Sequence, residues 1–311
     1  MHIHGIWGEG VYIAGGRALL WKIYSRLDRE DILVLRSMAS VAKLYEYVSA
    51  EIIRARTGIP DSRLFRSLRN LVDNKLITPH KRYQSIYRLT LTGINVASLH
   101  GLLRRGLISG LRERIGLGKE SLVYLATKGE ELLVVKFHRI GITSFRHIVR
   151  VRNYGPGFDR LWWGARSIVS AEREYRALEI MWKLRARVPR PVGREYNAVV
   201  TSYIDGADLY RARDLRDPQK VLDGIIEIAR KAYHGAGIVH GDLSPYNVLV
   251  SSDDEEPYVI DWPQWVRSNE ENAMEILEKD LSHIADFFRK RFGLEVGARD
   301  LVEIVVGSGD V

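Results

Sequence analysis

Apolar positions in "DSRLFRSLRNLVDN" recur as Leu64, Leu68, Leu71 and Val72, the i, i+4, i+7, i+8 spacing of one helical stripe, and Arg63, Arg66 and Arg69 fall on the other faces. Upstream, "SAEIIRARTGIPDS" predicts a short helix, a Thr-Gly turn and a new helix starting near Pro60, the punctuation of a helix-turn-helix. Downstream, "LITPHKRYQSIYRLTL" holds two strand-like runs around a polar tip that carries Lys81 and Arg82. Together these elements predict a winged helix over 31–92. An amphipathic helix from Thr92 to Arg105 is expected to link it, as segment 93–107, to the second half of the chain. Residues 1–30 form an N-terminal extension whose first part is Gly-rich and uninformative, and no internal repeat or low-complexity tract is present.

Beyond the linker the pattern changes to glycines and strands, then helices. "RIGLGKESLVYLAT" sets Gly116 and Gly118 between two strand-like runs, where backbone N–H groups can approach an anion with no Cβ in the way. In "ELLVVKFHRI", Lys136 interrupts an apolar strand from Leu132 to Phe137. The helix in "SAEREYRALEIMWKL" turns Ala171, Leu178 and Met181 inward and carries Glu174. A capped helix comes next, with Asp217 as cap, Pro218 in the first turn and Val221, Leu222, Ile225 and Ile228 on its buried face, until Gly235 and Gly237 end it. "IVHGDLSPYNVLV" and "YVIDWPQW" then place Asp242, Asn247 and Asp261 at the ends of adjoining short strands.

Composition narrows what these elements can do. A chain of 311 residues with 46% hydrophobic and 28% charged positions has the make-up of a folded globular protein of two domains. No apolar run approaches a bilayer span, and the start lacks a basic n-region followed by an apolar h-region, so a cytoplasmic protein is expected. With no cysteine, disulfides, thiolate nucleophiles and Cys-ligated zinc are excluded, and any metal must sit on oxygen or imidazole. The 47 Lys and Arg against 39 Asp and Glu give a formal net charge of +8, which favours polyanionic partners.

The chemistry comes from the polar residues in apolar strands. Burying the Lys136 ammonium is costly without an anion, and a phosphate or the Glu174 carboxylate can supply one. Magnesium takes oxygen ligands, commonly one or two carboxylates together with substrate phosphates, and Asn247 and Asp261 fit that role. Asp242 is left to accept a proton or orient the attacking group, and His240 to order its loop. In the winged helix, Arg63, Arg66, Arg69, Lys81 and Arg82 are the candidates for a nucleic-acid contact, and a protein-docking role is the alternative.

"GLGKES", "VVKFHRIGITSFR", "VHGDLSPYNVLV" and "VIDWPQ" together resemble the protein-kinase-like superfamily, and more narrowly the RIO family of atypical kinases. A winged helix ahead of them resembles its type-two subfamily. The resemblance runs from Asp31 to about Phe292, and it implies an α+β chain: the winged helix, then a compact bilobal kinase-like domain with an N-lobe over 108–201 and a C-lobe over 202–311. By position it implies that Lys136 and Glu174 form an ion pair, that Asp242 is catalytic and that Asn247 and Asp261 bind metal. It also assigns ATP phosphates to Ser121 and the backbone of Gly116, Gly118, Lys119 and Glu120, and adenine to the Ser202 and Ile204 backbone. Asp280 would brace the catalytic loop and 138–160 would be a mobile loop. Pro245, Trp262 and Ser202 depart from the family's usual residues.

The family further implies ATP with Mg2+ or Mn2+ as cofactors, an acyl-phosphate on Asp261 and, as partner, the immature small ribosomal subunit and its rRNA. The stretch after Asp261 leaves no room for a long activation segment or a peptide-binding helical lobe, against an ordinary protein kinase. Two other readings compete: a small-molecule phosphotransferase of the aminoglycoside or choline kinase type, and a transcription factor whose kinase-like half senses nucleotide.

Overall fold

The computed structural model describes residues 19–117, 120–140, 161–212 and 214–307. The chain begins with α1 (Leu19–Tyr24) and α2 (Arg29–Val41), then β1 (Val48–Ser49), α3 (Ala50–Thr57), α4 (Asp61–Asp73), β2 (Ile77–Pro79) and β3 (Ile86–Leu89). Leu64, Leu68 and Leu71 are buried on α4 as the stripe predicts, and β2–β3 is the expected ribbon, with Lys81 and Arg82 exposed at its tip. The short β1 adds a third strand, in the order β1-β3-β2. Helix α2 opens at a capping box in which Asp28 accepts from the Glu30 and Asp31 amides, so position 31 falls inside this helix and not before it. Asp31 is itself buried and accepts from Ser67 and Asn70 on α4 at 2.6 Å each.

Helix α5 (Leu91–Arg104) corrects the expected amphipathic linker. Ile94, Asn95, Val96, Ala97, Ser98, Leu99, Gly101 and Leu102 are all buried, because α1, α2 and β3 cover one side and the kinase-like sheet covers the other. A helix apolar all round is a core element, not a solvent-facing spacer. That sheet has the order β4-β5-β6-β8-β7, from β4 (Gly110–Leu117), β5 (Ser121–Lys128), β6 (Glu131–His138), β7 (Pro191–Glu195) and β8 (Ala198–Ser202), all antiparallel. Leu133, Val135 and Phe137 join the α5 side in one core with the winged helix. The two-residue period of a strand therefore sends Lys136 to the opposite face.

Helix α6 (Trp163–Lys183) lies against that second face. It shares a second core with α7 (Pro218–Arg230), α8 (Ala273–Phe292), α9 (Ala298–Val306) and the short strands β10 (Ile238–Val239), β11 (Val248–Ser251), β12 (Pro257–Val259) and β13 (Val266–Arg267), and β9 (Gly206–Asp208) pairs along β11. Asp217 caps α7 by accepting from the Lys220 amide, and a single π-helical turn, Lys231–Ala236, carries the chain to the left-handed Gly237. No helix among the described residues is long and apolar enough to cross a membrane.

The two halves are joined by buried hydrogen bonds as well as by apolar contact. Asn197, between β7 and β8, donates to Asn95 Oδ1 and to the His138 carbonyl, and accepts from Ser98 Oγ, each at 2.8 Å. Because these groups have no water to fall back on, Asn197→Ala should lower the free energy of unfolding by on the order of 1–3 kcal/mol. Urea denaturation of the variant measures it, and an unchanged midpoint would mean that the junction is held by apolar packing alone.

Candidate active site

The cleft between the sheet and the second core is lined by Ile115, Ser121, Val123, Val134, Lys136, Glu174, Val199, Thr201, Ser202, Ile204, Asn247, Leu249, Ile260 and Asp261, among others. Lys136 Nζ lies 2.8 Å from Glu174 Oε1 and 2.7 Å from Asp261 Oδ1. The expected Lys136–Glu174 pair is present, and Asp261 joins it. Burial alone would push the Lys136 ammonium down, but Asp261 and Glu174 outweigh it and hold it above its ordinary value. Burial would likewise raise the Glu174 carboxyl, yet Lys136 and His138 pull it well below the usual carboxylate range. Two of the three ammonium N–H groups are thus engaged, leaving one for an incoming phosphate.

His138 changes the sequence expectation. Its neighbours in the chain put it at the start of a mobile loop, but it is the last residue of β6, is buried, and bonds through Nε2 to Glu174 Oε2. Arg139 N–H donates to the Glu120 carbonyl and Ile140 N–H to Ser167 Oγ, so 138–140 are anchored. The rest of that loop, 141–160, lies outside the described residues, as do Gly118 and Lys119. Gly116 sits inside β4, paired with Val123 after a register shift, and not at the hairpin tip. Ser121 opens β5 and faces the cleft.

Strand pairing brings the two candidate metal ligands together. In the antiparallel β11–β12 ladder Val248 opposes Val259, so Asn247 and Asp261 emerge at the same end, and Ile260 N–H donates to the Asn247 carbonyl. Asn247 Nδ2 donates to the Asp242 carbonyl at 2.8 Å, which leaves Oδ1, the oxygen a cation would want. Among the described residues no group of three or more His, Asp or Glu could hold a metal by itself. One carboxylate and one carboxamide fit magnesium, which draws its remaining ligands from phosphates and water. Asp261 has a φ of 64°, a strained left-handed conformation for a non-glycine residue, of the kind that persists where surrounding structure enforces it.

That enforcement is visible in the loop around Asp242. Asp280, on α8, accepts from the Gly241 amide at 2.8 Å and the Leu243 amide at 3.1 Å, the bracing role expected of it. Gly241 has a φ of 82°, and a Cβ there would stand 2.5 Å from the Gln264 carbonyl oxygen. His240 accepts the Asp242 amide on Nδ1 and donates from Nε2 to the Ile260 carbonyl, with its ring 4.5 Å from buried Trp262. Arg173, beside Glu174, donates to the Pro263 and Trp265 carbonyls, which ties α6 to the segment after Asp261. Sequence reasoning misses Arg173 and the apolar floor of the cleft, because neither type stands out in an ordinary amphipathic or strand pattern.

At the cleft's far end, Ser202 pairs with Leu133 in the ladder, Ser202 Oγ accepts from the Arg190 amide, and Ile204 comes two residues later. In the winged helix the arginines divide. Arg63 pairs with Glu30, and Arg66 with Asp28 and Glu30, so these two are neutralised by the chain itself, whereas Arg69, Lys81 and Arg82 form no ion pair among the described residues. Burial pushes the His240 imidazole down to about 4 and keeps it neutral in the fold. A histidine depressed on folding stabilises above its unfolded value of about 6.5 and loses that contribution as pH falls toward 4, at most about 3 kcal/mol. Denaturation midpoints should therefore drop over that window, and His240→Gln should flatten the drop; an unaltered slope would place the acid sensitivity elsewhere.

The RIO domain matches residues 122–301 and the Rio2 N-terminal domain matches residues 24–105. The serine/threonine-protein kinase rio2 of Schizosaccharomyces pombe is 30% identical over 274 residues, covering 86% of this chain and 77% of that protein. The Dictyostelium discoideum rio2 kinase is 30% identical over 88% of this chain, which spans about half of that relative's length (52%). The RIO-type kinase Rio2 of Methanocaldococcus jannaschii is 27% identical, with 79% and 91% covered. Among solved structures, a Rio2 kinase in an ADP/Mg2+-phosphoaspartate complex from Chaetomium thermophilum has a TM-score of 0.75 at 26% identity, covering 93% of this chain and 89% of that one. With both domains matched in order over most of its length, and with Lys136, Glu174, Asn247 and Asp261 assembled in one cleft, the chain belongs to the RIO family of kinases, in the branch that carries the Rio2 N-terminal domain.

Proposed function

We propose that the protein is a Mg-ATP-dependent atypical serine kinase and ATPase of the cytoplasm that works on the immature small ribosomal subunit. The observation that carries the catalytic part is the Lys136 ammonium bridging Glu174 and Asp261 at 2.8 and 2.7 Å beside the Asn247 carboxamide. The apolar walls, Val123, Val134, Leu249 and Ile260, suit an adenine ring, with the Ser202 and Ile204 backbone at its edge. The phosphates would lie toward Ser121 and Lys136. A magnesium ion held by Asn247 and Asp261 supplies charge neutralisation on the phosphates when bound.

Within that frame the chain's own residues divide the work. Glu174 and His138 fix the Lys136 ammonium so that its remaining N–H meets developing negative charge. An Asp261 carboxylate oxygen attacks the γ-phosphorus as the bond to the β-phosphate oxygen breaks and ADP leaves, giving an aspartyl phosphate. Asp242 then takes a proton from water or a seryl hydroxyl, which attacks phosphorus and regenerates the Asp261 carboxylate. The phosphoaspartate in the Chaetomium relative supports an aspartyl phosphate as intermediate. The matched RIO and Rio2 N-terminal domains favour it over a small-molecule phosphotransferase.

The ribosomal part rests on the basic winged helix and on the likeness to the RIO family. Its contact set is Arg69, Lys81 and Arg82, with Arg63 and Arg66 spent on Asp28 and Glu30. Asp242→Ala should reduce ATP turnover roughly 10²- to 10⁴-fold. Labelling with γ-phosphate-tagged ATP should give a hydroxylamine-sensitive phosphoprotein that Asp261→Asn abolishes; a label that survives would move the acceptor to another residue. Replacing Arg69, Lys81 and Arg82 with alanine should weaken binding to structured rRNA fragments and flatten the log-log salt dependence by about 0.9 for each phosphate neutralised by one of these side chains. An unaltered salt slope would return the winged helix to protein docking.

A further inference from the structure

Two tyrosines stand half exposed on the C-lobe, at 51% for Tyr210 and 54% for Tyr246, although each ring carries a large apolar area. They are stacked on one another, with centroids 4.1 Å apart and planes 25° apart. Tyr210 comes from the turn Leu209–Arg211 after β9, and Tyr246 from the turn Pro245–Asn247 of the catalytic loop. The pair borders an open groove of about 1180 Å³ whose other walls include Ser244, His283, Phe287, Arg211, Lys290 and Arg291. The nucleotide cleft and the winged helix use none of this surface.

The charge around the rings has one dominant sign. Asp286 is the single carboxylate lining the groove, and it is shared between Lys290, at 3.2 Å, and Arg289. Arg211 leans on Asp208 behind the groove at 3.3 Å. Arg291 has no ion pair among the described residues, and His283 Nδ1 donates to the Leu243 carbonyl at 3.3 Å. Stacked aromatic rings in a groove that cations also line are what a polynucleotide single strand requires, since each base offers a π face and each link a phosphate. An acidic peptide would satisfy the cations and leave the stacked rings bare.

We infer that this groove seats a stretch of single-stranded RNA, with a base stacked on the Tyr210–Tyr246 pair and a phosphate on Arg291, whose charge is unpaired among the described residues, and with Arg211 and Lys290 adding to the field from their pairs with Asp208 and Asp286. The inference goes beyond the winged-helix contact and does not depend on it. A strand held there lies against Ser244, Pro245 and Tyr246, two to four residues after Asp242, so the RNA touches the loop that carries the proposed catalytic carboxylate. The partner would thus meet the enzyme at two places of different character: structured RNA at the winged helix and an unpaired segment at the catalytic loop.

Fluorescence anisotropy of the full chain with labelled oligoadenylate tests this, with inorganic polyphosphate as a probe of charge alone. Tyr210→Ala should weaken oligoadenylate roughly 5- to 100-fold and leave polyphosphate unaffected, whereas Tyr210→Phe keeps the platform and the affinity. Lys290→Ala with Arg291→Ala should weaken both probes and reduce the salt slope for oligoadenylate by about 0.7 for each phosphate that these side chains neutralise. Alanine at Arg69, Lys81 and Arg82 should leave oligoadenylate binding intact, which separates failure of this site from failure of the winged-helix reading. Equal affinity of wild type and Tyr210→Ala would overturn the proposal, as would Tyr210-dependent binding of an acidic peptide in a protein that ignores oligoadenylate.

Discussion

A buried ammonium organises this molecule. Lys136 points from the centre of a sheet into a cleft where its side chain is only 15% exposed, and an unpaired charge held there would cost several kcal/mol. Two carboxylates from different parts of the chain hold it: Glu174 on α6 and Asp261 after β12. Neither partner can move far without exposing the others to an uncompensated charge. The pairing therefore fixes the helix, the sheet and the segment after β12 relative to one another, and Arg173 extends the tie by holding the Pro263 and Trp265 carbonyls. Part of this arrangement opposes stability, since an apolar triad of similar volume would be less costly to bury; its retention fits a site that must meet phosphate.

The loop around Asp242 is built so that few of its groups are left to choose a conformation. Asp280 takes two amides, His240 takes one amide and gives to one carbonyl, and Asn247 is turned by the Asp242 carbonyl so that its oxygen is left over. The left-handed backbone at Asp261 and the close approach at Gly241 are costs that these bonds offset. Such preorganisation means that the charge of an arriving nucleotide meets dipoles already aimed, with little reorganisation at the moment of reaction.

Much of the site is legible in the sequence because its chemistry interrupts patterns. A lysine in an apolar strand, and Asp, Asn and Asp between strand ends, have no packing reason to be there. The winged helix is legible for the same reason in reverse, through an unbroken stripe of leucines on α4. What escapes are contacts that depend on tertiary pairing. His138 looks like the first residue of a polar loop until β6 is seen to run on and α6 to bring Glu174 to it. Arg63 and Arg66 face solvent as the sequence suggests, but their pairing with Asp28 and Glu30 appears only once the N-terminus of α2 is placed opposite them. Helix α5 looks like a linker because its position along the chain suggests one, yet "GINVASL" has too little polarity for a helix with a wet side.

The burial of α5 bears on how the two halves communicate. The winged helix is not a bead on a tether: one continuous core runs from Leu20 through α5 to Phe137 and Val200. Polar bonds cross the same junction, from Asn95 and Ser98 through Asn197 to the His138 carbonyl. His138 in turn holds Glu174, which holds Lys136. The path from the winged helix to the lysine thus runs through close-packed groups and hydrogen bonds. Close-packed interiors have low compressibility and pass displacement on, and Asn197 stands where the packing of the winged helix meets the hydrogen bonds that hold Glu174 and Lys136.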